Sequence, residues 1–115
     1  MARAGDFAVD VADDGQGRTL VRVSGELDLA TCSELDAALE DAGAAAKVVI
    51  DLTECEFLDS SAVRVLLAGA ARTDAGGGSL ALVAPDPRIR RVLEIASVDS
   101  RIPVHDTRDA ALLDA

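Results

Sequence analysis

Two adjacent serines that follow an aspartate, Asp59-Ser60-Ser61, are the residues best suited to chemistry. They stand between Val48-Val49-Ile50, a β-branched run typical of a buried strand, and a segment whose apolar residues have helical spacing. A loop in that position presents hydroxyl groups beside unpaired backbone N–H groups and the positive end of a helix dipole. This setting suits a phosphate group. The alternative is that Asp59, Ser60 or Ser61 only caps the helix, as such residues often do.

The helix that carries these serines is predicted to end at the glycine run Gly76-Gly77-Gly78. Its apolar residues recur at three and four positions and predict one buried face: Val63, Leu66, Leu67 and Ala70. The strand before it is predicted over Lys47–Leu52 and should lie in the middle of a sheet. A short loop that contains Cys55 and Phe57 is expected to join the strand to the helix.

The first part of the chain predicts a hairpin followed by a helix. Residues Phe7–Ala12 and Thr19–Ser24 alternate with a period of two around a polar, glycine-bearing turn, and Gly25-Glu26-Leu27-Asp28 closes the second strand. The helix should begin near Leu29, with Thr31 or Asp28 as its cap and Gly43 as its stop. Its apolar face is predicted from five residues: Leu29, Cys32, Leu35, Leu39 and Ala42.

The remaining segments complete an alternation of strands and helices. They are a strand at Ser79–Ala84, a helix at Pro87–Ala96, a strand at Ile102–His105 and a helix at Arg108–Leu113. This order predicts an α/β fold, with a mixed, mostly parallel sheet of about five strands and about four helices. With 115 residues, the chain is expected to form a single domain over 1–115.

The composition limits the partners that this chain is expected to have. A formal net charge of −10 would repel the phosphates of nucleic acids and anionic lipid headgroups, so neither partner is expected. No apolar stretch is long enough for a membrane span and the N-terminus lacks the pattern of a signal peptide, so the sequence predicts a cytoplasmic location without membrane insertion. Cys32 and Cys55 lack CxxC spacing and are expected to be reduced residues without a chemical role. No pattern supports a metal site.

Three other kinds of site are disfavoured by missing residues. A serine hydrolase would need a Gly-x-Ser-x-Gly turn and a histidine base, but the one histidine, His105, lies in a predicted late strand. The acidic residues Asp10, Asp13, Asp14 and Asp51 suggest an aspartyl-phosphate receiver, yet no lysine stands in the corresponding late strand. The triple glycine lacks the lysine and hydroxyl residue of a phosphate-binding loop.

Two motifs resemble a known family. Val49-Ile50-Asp51-Leu52 followed by Asp59-Ser60-Ser61-Ala62-Val63 resembles the signature of STAS-domain anti-sigma factor antagonists, also named anti-anti-sigma factors. Upstream, Gly25-Glu26-Leu27-Asp28-Leu29-Ala30-Thr31 resembles the family's opening of the first helix. The order of strands and helices fits the family along nearly the whole chain.

The resemblance implies a regulatory protein that is not an enzyme and needs no cofactor. In the family, an unphosphorylated antagonist binds an anti-sigma factor that is a serine kinase and so frees a sigma factor; phosphorylation ends the binding, and a serine phosphatase restores it. Similar STAS domains serve as non-phosphorylated scaffold subunits of lipid transporters or sensory complexes, and the two serines alone do not separate these functions.

The same resemblance assigns the site residues. The second hydroxyl residue of the motif is the phosphorylated one, which corresponds to Ser61, with Ser60 as the second candidate. The implied partner surface combines the turn from Asp59 to Arg64 with the segment that begins near Asp28; its members are Glu26, Asp28, Asp59, Ser60, Ser61, Ala62 and Arg64. The family usually has glycine where this chain has Ala62, and the added methyl group is expected to narrow the approach of the kinase.

Overall fold

The computed structural model describes residues 7–42 and 45–113, in which strands and helices alternate after an initial hairpin. The strands are β1 (Ala8–Asp13), β2 (Arg18–Leu27), β3 (Lys47–Leu58), β4 (Ser79–Val83) and β5 (Val104–His105). The helices are α1 (Cys32–Asp41), α2 (Ser60–Ala75), α3 (Pro87–Ile95) and α4 (Arg108–Leu113), with a short 3-10 helix at Val98–Ser100.

One five-stranded sheet, in the order β1-β2-β3-β4-β5, organises the fold. The first pair, β1 and β2, is antiparallel, and every later pair is parallel. The predicted α/β class is therefore confirmed, with a mixed and mostly parallel sheet and four helices. Parallel strands end at the same edge of a sheet, so the segments after β2 and β3 lie next to each other.

The core is aliphatic and lies mainly on one face of the sheet. The alternation in β2 matches its burial, since Val21 and Val23 are almost fully buried and Arg22 between them is exposed. One large cluster combines strand residues with helix residues, among them Ile50, Leu52, Leu35, Leu66 and Leu93. The opposite face carries a smaller cluster in which Val49, Ala81 and Val83 contact Ala111 of α4. As predicted, the first half of β3 is buried on both faces.

An ion pair joins the smaller face to the start of α4. The Asp51 side chain is only 4% exposed, and its Oδ2 accepts a hydrogen bond of 2.6 Å from Nε of Arg108. Its Oδ1 accepts hydrogen bonds from the backbone N–H and the hydroxyl of Thr53. Burial alone would raise the pKa of Asp51, but the hydrogen bonds from Thr53 and Arg108 outweigh it, and the pKa lies below its ordinary value. The carboxylate is thus held in its charged form by this ion pair and these hydrogen bonds.

The region around Cys55 differs from its prediction. It was expected to be a loop, but β3 continues through Cys55 and Phe57 to Leu58. Two register shifts interrupt its pairing with β2, and beyond Leu52 the buried positions are Cys55 and Leu58, every third residue. Bulges of this kind break the period of two that identifies a strand in sequence. The extra length of β3 brings the beginning of α2 beside the end of β2.

Several smaller boundaries differ as well. The first helix begins at Cys32, so Leu29 precedes it and its side chain is 73% exposed instead of lying in the core. Strand β2 continues through Gly25 to Leu27, and Gly25 takes a φ of 87° at one of the register shifts. In α2 the buried positions include Gly69 and Thr73, while Leu67 and Ala70 are only partly buried. The predicted helix stop at Gly43 lies outside the described residues.

A close approach of α1 to α2 fixes the geometry around the serines. A Cβ atom at Gly69 would lie 2.6 Å from Cδ1 of Leu39, too close for any side chain larger than hydrogen without movement of Leu39. A salt bridge of 3.2 Å between Arg72 and Asp36 joins the same two helices. The two helices therefore pack tightly against each other.

Candidate functional site

The start of α2 is capped by Asp59. Its backbone is extended, and its Oδ1 accepts hydrogen bonds from the N–H groups of Ser61 and Ala62, at 2.9 and 3.1 Å. Two of the helix N–H groups that lack a partner within the helix are satisfied in this way. The sequence left open which of the three residues caps the helix, and the structure assigns the cap to Asp59.

Because Asp59 accepts the capping hydrogen bonds, neither serine hydroxyl is needed to cap the helix. Within the ranges 7–42 and 45–113, neither the Ser60 nor the Ser61 hydroxyl donates or accepts a hydrogen bond. Ser60 is exposed, and Ser61 is partly buried one residue further into the helix. Both hydroxyls stand in the first turn of a 16-residue helix, where the dipole favours negative charge. A group attached to either oxygen would not have to break an existing hydrogen bond.

A tightly bonded turn follows β2 and leads into α1. The Thr31 hydroxyl donates to the carbonyl oxygen of Glu26 at 2.8 Å and accepts from the N–H of Asp28 at 2.9 Å. In return, Oδ1 of Asp28 accepts hydrogen bonds from the N–H groups of Ala30 and Thr31. Of the two caps predicted for α1, Thr31 occupies the N-cap position but makes no capping bond there, and Asp28 stabilises the turn before the helix.

The turn and the start of α2 lie side by side. Leu27 at the end of β2 is paired in register with Leu58 at the end of β3. The next residue, Asp59, donates its backbone N–H to the carbonyl oxygen of Leu27 at 3.4 Å. In sequence, the segment Gly25–Thr31 and the segment Asp59–Val63 are separated by α1 and β3, the connection that a parallel pair of strands requires. They meet at the carboxyl-terminal edge of the sheet, where ligand sites of α/β folds gather.

A shallow groove of about 360 Å³ runs between α1 and α2 from this edge. Its apolar part is formed by Leu29, Val65 and Ala68, and Cys32 lies in its wall. Ser61 opens into the groove at one end, next to Arg64. The described lining residues also include Asp36 and Arg72, the pair that bridges the two helices.

The predicted site residues differ in how much surface they present. Glu26, Ser60 and Arg64 are exposed, and Asp28, Asp59 and Ser61 are partly buried. Ala62 is fully buried, so its side chain faces the core and is not part of the surface. Because that methyl group points inward, it does not narrow the approach to Ser61, contrary to the expectation from the sequence.

The two cysteines form no disulfide in this structure, and Cys32 lies in the wall of the groove. Cys55 is buried, and desolvation raises the pKa of its thiol above the ordinary value. Cys32 is partly buried, and its Sγ donates to the carbonyl oxygen of Leu29 at 3.7 Å.

Sequence reasoning missed several groove residues. Leu29 was assigned to the core because its spacing fits the helix face, and only the tertiary structure shows that it precedes the helix. The Asp36–Arg72 bridge joins residues 36 positions apart, which no local pattern predicts. Val65 and Ala68 lie on the side of α2 next to its buried stripe, and a wider reading of that stripe could have found them.

Two kinds of feature are absent from the described residues. No cluster of three or more His, Cys, Asp or Glu side chains there has the arrangement of a metal site. No helix in the same part of the chain has both the length and the apolar character that a membrane span requires.

Comparison with known proteins places this geometry in a family. Residues 11–108 match the family described as "Mlab, STAS domain". A relative from Paenibacillus polymyxa, named anti-sigma F factor antagonist, is 28% identical over 84% of this chain and 86% of its own length. Two other relatives are matched over 58% of their own length, both from Thermotoga species and both named putative anti-sigma factor antagonists.

Solved structures share the fold over almost the whole chain. An anti-sigma factor antagonist from Mycobacterium paratuberculosis is 31% identical with a TM-score of 0.86, covering 97% of this chain and 96% of that one. The Bacillus cell fate determinant SpoIIAA in its phosphorylated form is 23% identical with a TM-score of 0.70, covering 91% and 96%. The family match and the 31% identical structure together establish that this chain belongs to the STAS domain family.

Proposed function

We propose that this protein is an anti-sigma factor antagonist whose binding is switched off by phosphorylation of Ser61. The unphosphorylated form binds an anti-sigma factor that is a serine kinase, and a serine phosphatase removes the phosphate. The protein acts by binding and is not itself an enzyme. The names of its relatives support the antagonist function, since those from Paenibacillus and Mycobacterium carry it.

The observation that carries the proposal is the position of the Ser61 hydroxyl. It stands at a helix start, opens into a surface groove and makes no hydrogen bond to another described residue, because Asp59 supplies the cap. A kinase could therefore reach this oxygen without unfolding the turn. Ser60 is the second candidate, since it is exposed in the same turn but does not line the groove.

The chemistry of the step belongs to the kinase. The Ser61 oxygen attacks the γ-phosphorus of ATP, the bond from that phosphorus to the bridging oxygen breaks, and ADP leaves. The hydroxyl proton passes to a base on the kinase. This chain supplies the nucleophilic oxygen and the surface that positions it.

A phosphate at Ser61 is expected to alter binding and leave the fold intact. It adds about −1.5 to −2 charges at neutral pH, and the N-terminal end of α2 stabilises negative charge. A partner group that packs against a neutral serine would have to desolvate the phosphate, which is costly. The phosphate thus opposes association at the end of the groove that Ser61 lines.

The proposal is tested by incubating the protein with ATP and each purified anti-sigma factor kinase of its source bacterium. Mass spectrometry should show one added phosphate, located at Ser61. In calorimetry, Ser61→Ala should bind the kinase and resist phosphorylation, while Ser61→Asp should bind about tenfold or more weakly with a melting temperature close to that of the native protein.

Ser60→Asp is the matched control, because it adds the same charge one residue away and outside the groove. Its effect on affinity should be clearly smaller. A phosphate found on Ser60, or stronger weakening by Ser60→Asp, would move the switch to the neighbouring residue. Absence of phosphorylation by every kinase would instead favour the non-phosphorylated scaffold function.

A further inference from the structure

Of the charged residues of α2, only Arg64 lies in the first turns of the helix with Ser61 and also lines the groove. Residues three positions apart on a helix are neighbours, with Cβ atoms about 5 to 6 Å apart. Helical side chains also lean toward the N-terminus of the helix. The long Arg64 side chain therefore extends over the turn that carries Ser61.

The guanidinium of Arg64 is available for a new partner. Six other arginines of the described chain form salt bridges with carboxylates, including Arg72 with Asp36 in the same groove. Arg64 is exposed, and no salt bridge or hydrogen bond joins its side chain to another described residue.

We propose that Arg64 pairs with the phosphate on Ser61 within the same molecule. After phosphorylation, the Arg64 guanidinium is then no longer available to a partner protein. This inference rests on the proposed phosphorylation of Ser61. An arginine presents its N–H groups in a fork that matches phosphate oxygens, which gives it an advantage over a lysine in this role. Arg72 cannot replace it, since Arg72 lies about 16 Å along the helix from Ser61 and is held by Asp36.

The pairing changes the charge of the groove. Asp36, Arg64 and Arg72 give the described lining one net positive charge before phosphorylation. A phosphate of about −1.5 to −2 charges makes it negative. The carboxylates of Asp28 and Asp59 carry the same sign of charge as the phosphate and repel it. Arg64 is the positively charged residue nearest to Ser61 in sequence, and its charge can offset this repulsion.

The test uses protein with phosphoserine inserted at position 61 during translation, so neither the kinase nor the sigma pathway is involved. A ³¹P NMR titration follows the second ionisation of the phosphate, whose midpoint is ordinarily at about pH 6. Arg64 favours the doubly charged form, so Arg64→Gln should raise that midpoint by about 0.3 pH unit, and Arg64→Lys should recover most of the difference.

Arg91→Gln is the matched control, because Arg91 is also an arginine without a salt bridge to another described residue but lies on α3. It should leave the midpoint unchanged, and the side-chain N–H resonance of Arg64 should shift with the same midpoint as the phosphate. Equal midpoints for the native protein and Arg64→Gln would overturn the inference, as would an equal shift in Arg91→Gln. Failure of the kinase to phosphorylate the native protein would not affect this result, so the two proposals fail independently.

Discussion

Removal of the cap of α2 should lower stability by an amount that follows from its geometry. Asp59→Ala deletes an acceptor of two backbone hydrogen bonds, at 2.9 and 3.1 Å. Loss of an N-cap side chain costs about 1 kcal/mol within a range of about 0.5 to 2, and two bonds place this one near 1.5 kcal/mol. The entropy of unfolding is about 2.1 cal/mol/K per residue, so for 115 residues the melting temperature should fall by about 6 °C.

Thermal unfolding followed by circular dichroism measures this change. Asp59→Asn is the matched control, because asparagine keeps the accepting oxygen and loses only the charge, so the melting temperature should fall by no more than about 2 °C. Ser60→Ala and Ser61→Ala should have effects within the same range, since their hydroxyls make no described hydrogen bond. If Asp59→Ala melted at the native temperature, or if asparagine were as harmful as alanine, the capping argument would be wrong.

Two other predictions concern the Asp51–Arg108 ion pair and the acidic residues of the proposed partner surface. Arg108→Gln should lower the melting temperature at pH 7 by about 4 °C, an effect discounted for the half-exposed arginine. Because the folded pKa of Asp51 is depressed, the difference should persist down to about pH 4, the ordinary carboxyl range, and should shrink as the pH falls further through the depressed pKa. A difference that stays constant with pH would contradict this. Glu26→Lys and Asp28→Lys should weaken kinase binding about tenfold beyond any loss of stability, whereas Asp109→Lys should not; equal affinities would remove the turn from the proposed surface.

The sequence predicted most of the fold because its local patterns agree with the tertiary structure. The alternation around Val21 and Val23 marks the correct face of β2, and the run Val48-Val49-Ile50 marks the strand that is buried on both sides. The last helix has the predicted bounds of Arg108–Leu113. These segments needed no knowledge of their neighbours.

The errors occur where a neighbouring segment decides the structure. Cys55 and Phe57 belong to a strand only because β2 pairs with them across bulges, and that pairing interrupts the pattern that defines strands in sequence. Leu29 has the spacing of a helix residue, but the hydrogen bonds of Thr31 and Asp28 hold it in a turn before the helix.

The sequence motifs predict which segments form the candidate site, but the exposure and hydrogen bonding of its residues depend on tertiary packing. The adjacency of the two motifs could be predicted from the parallel order of β2 and β3. The choice of Asp59 as the cap, which leaves the Ser61 hydroxyl unbonded, depends on the backbone conformation at one residue. The inward direction of the Ala62 methyl group likewise depends on how α2 is rotated against the sheet.

The edge position of β1 has a consequence for how the molecules behave at high concentration. Among the described strands β1 has one neighbour, β2, so the backbone groups on its outer side could pair with a strand of another molecule. Val11 adds an apolar side chain that is 50% exposed. Asp10 and Asp13 stand on the same strand, and stacking two such edges would bring like charges together. These aspartates should therefore discourage aggregation through the edge, and replacing both with asparagine should remove this protection.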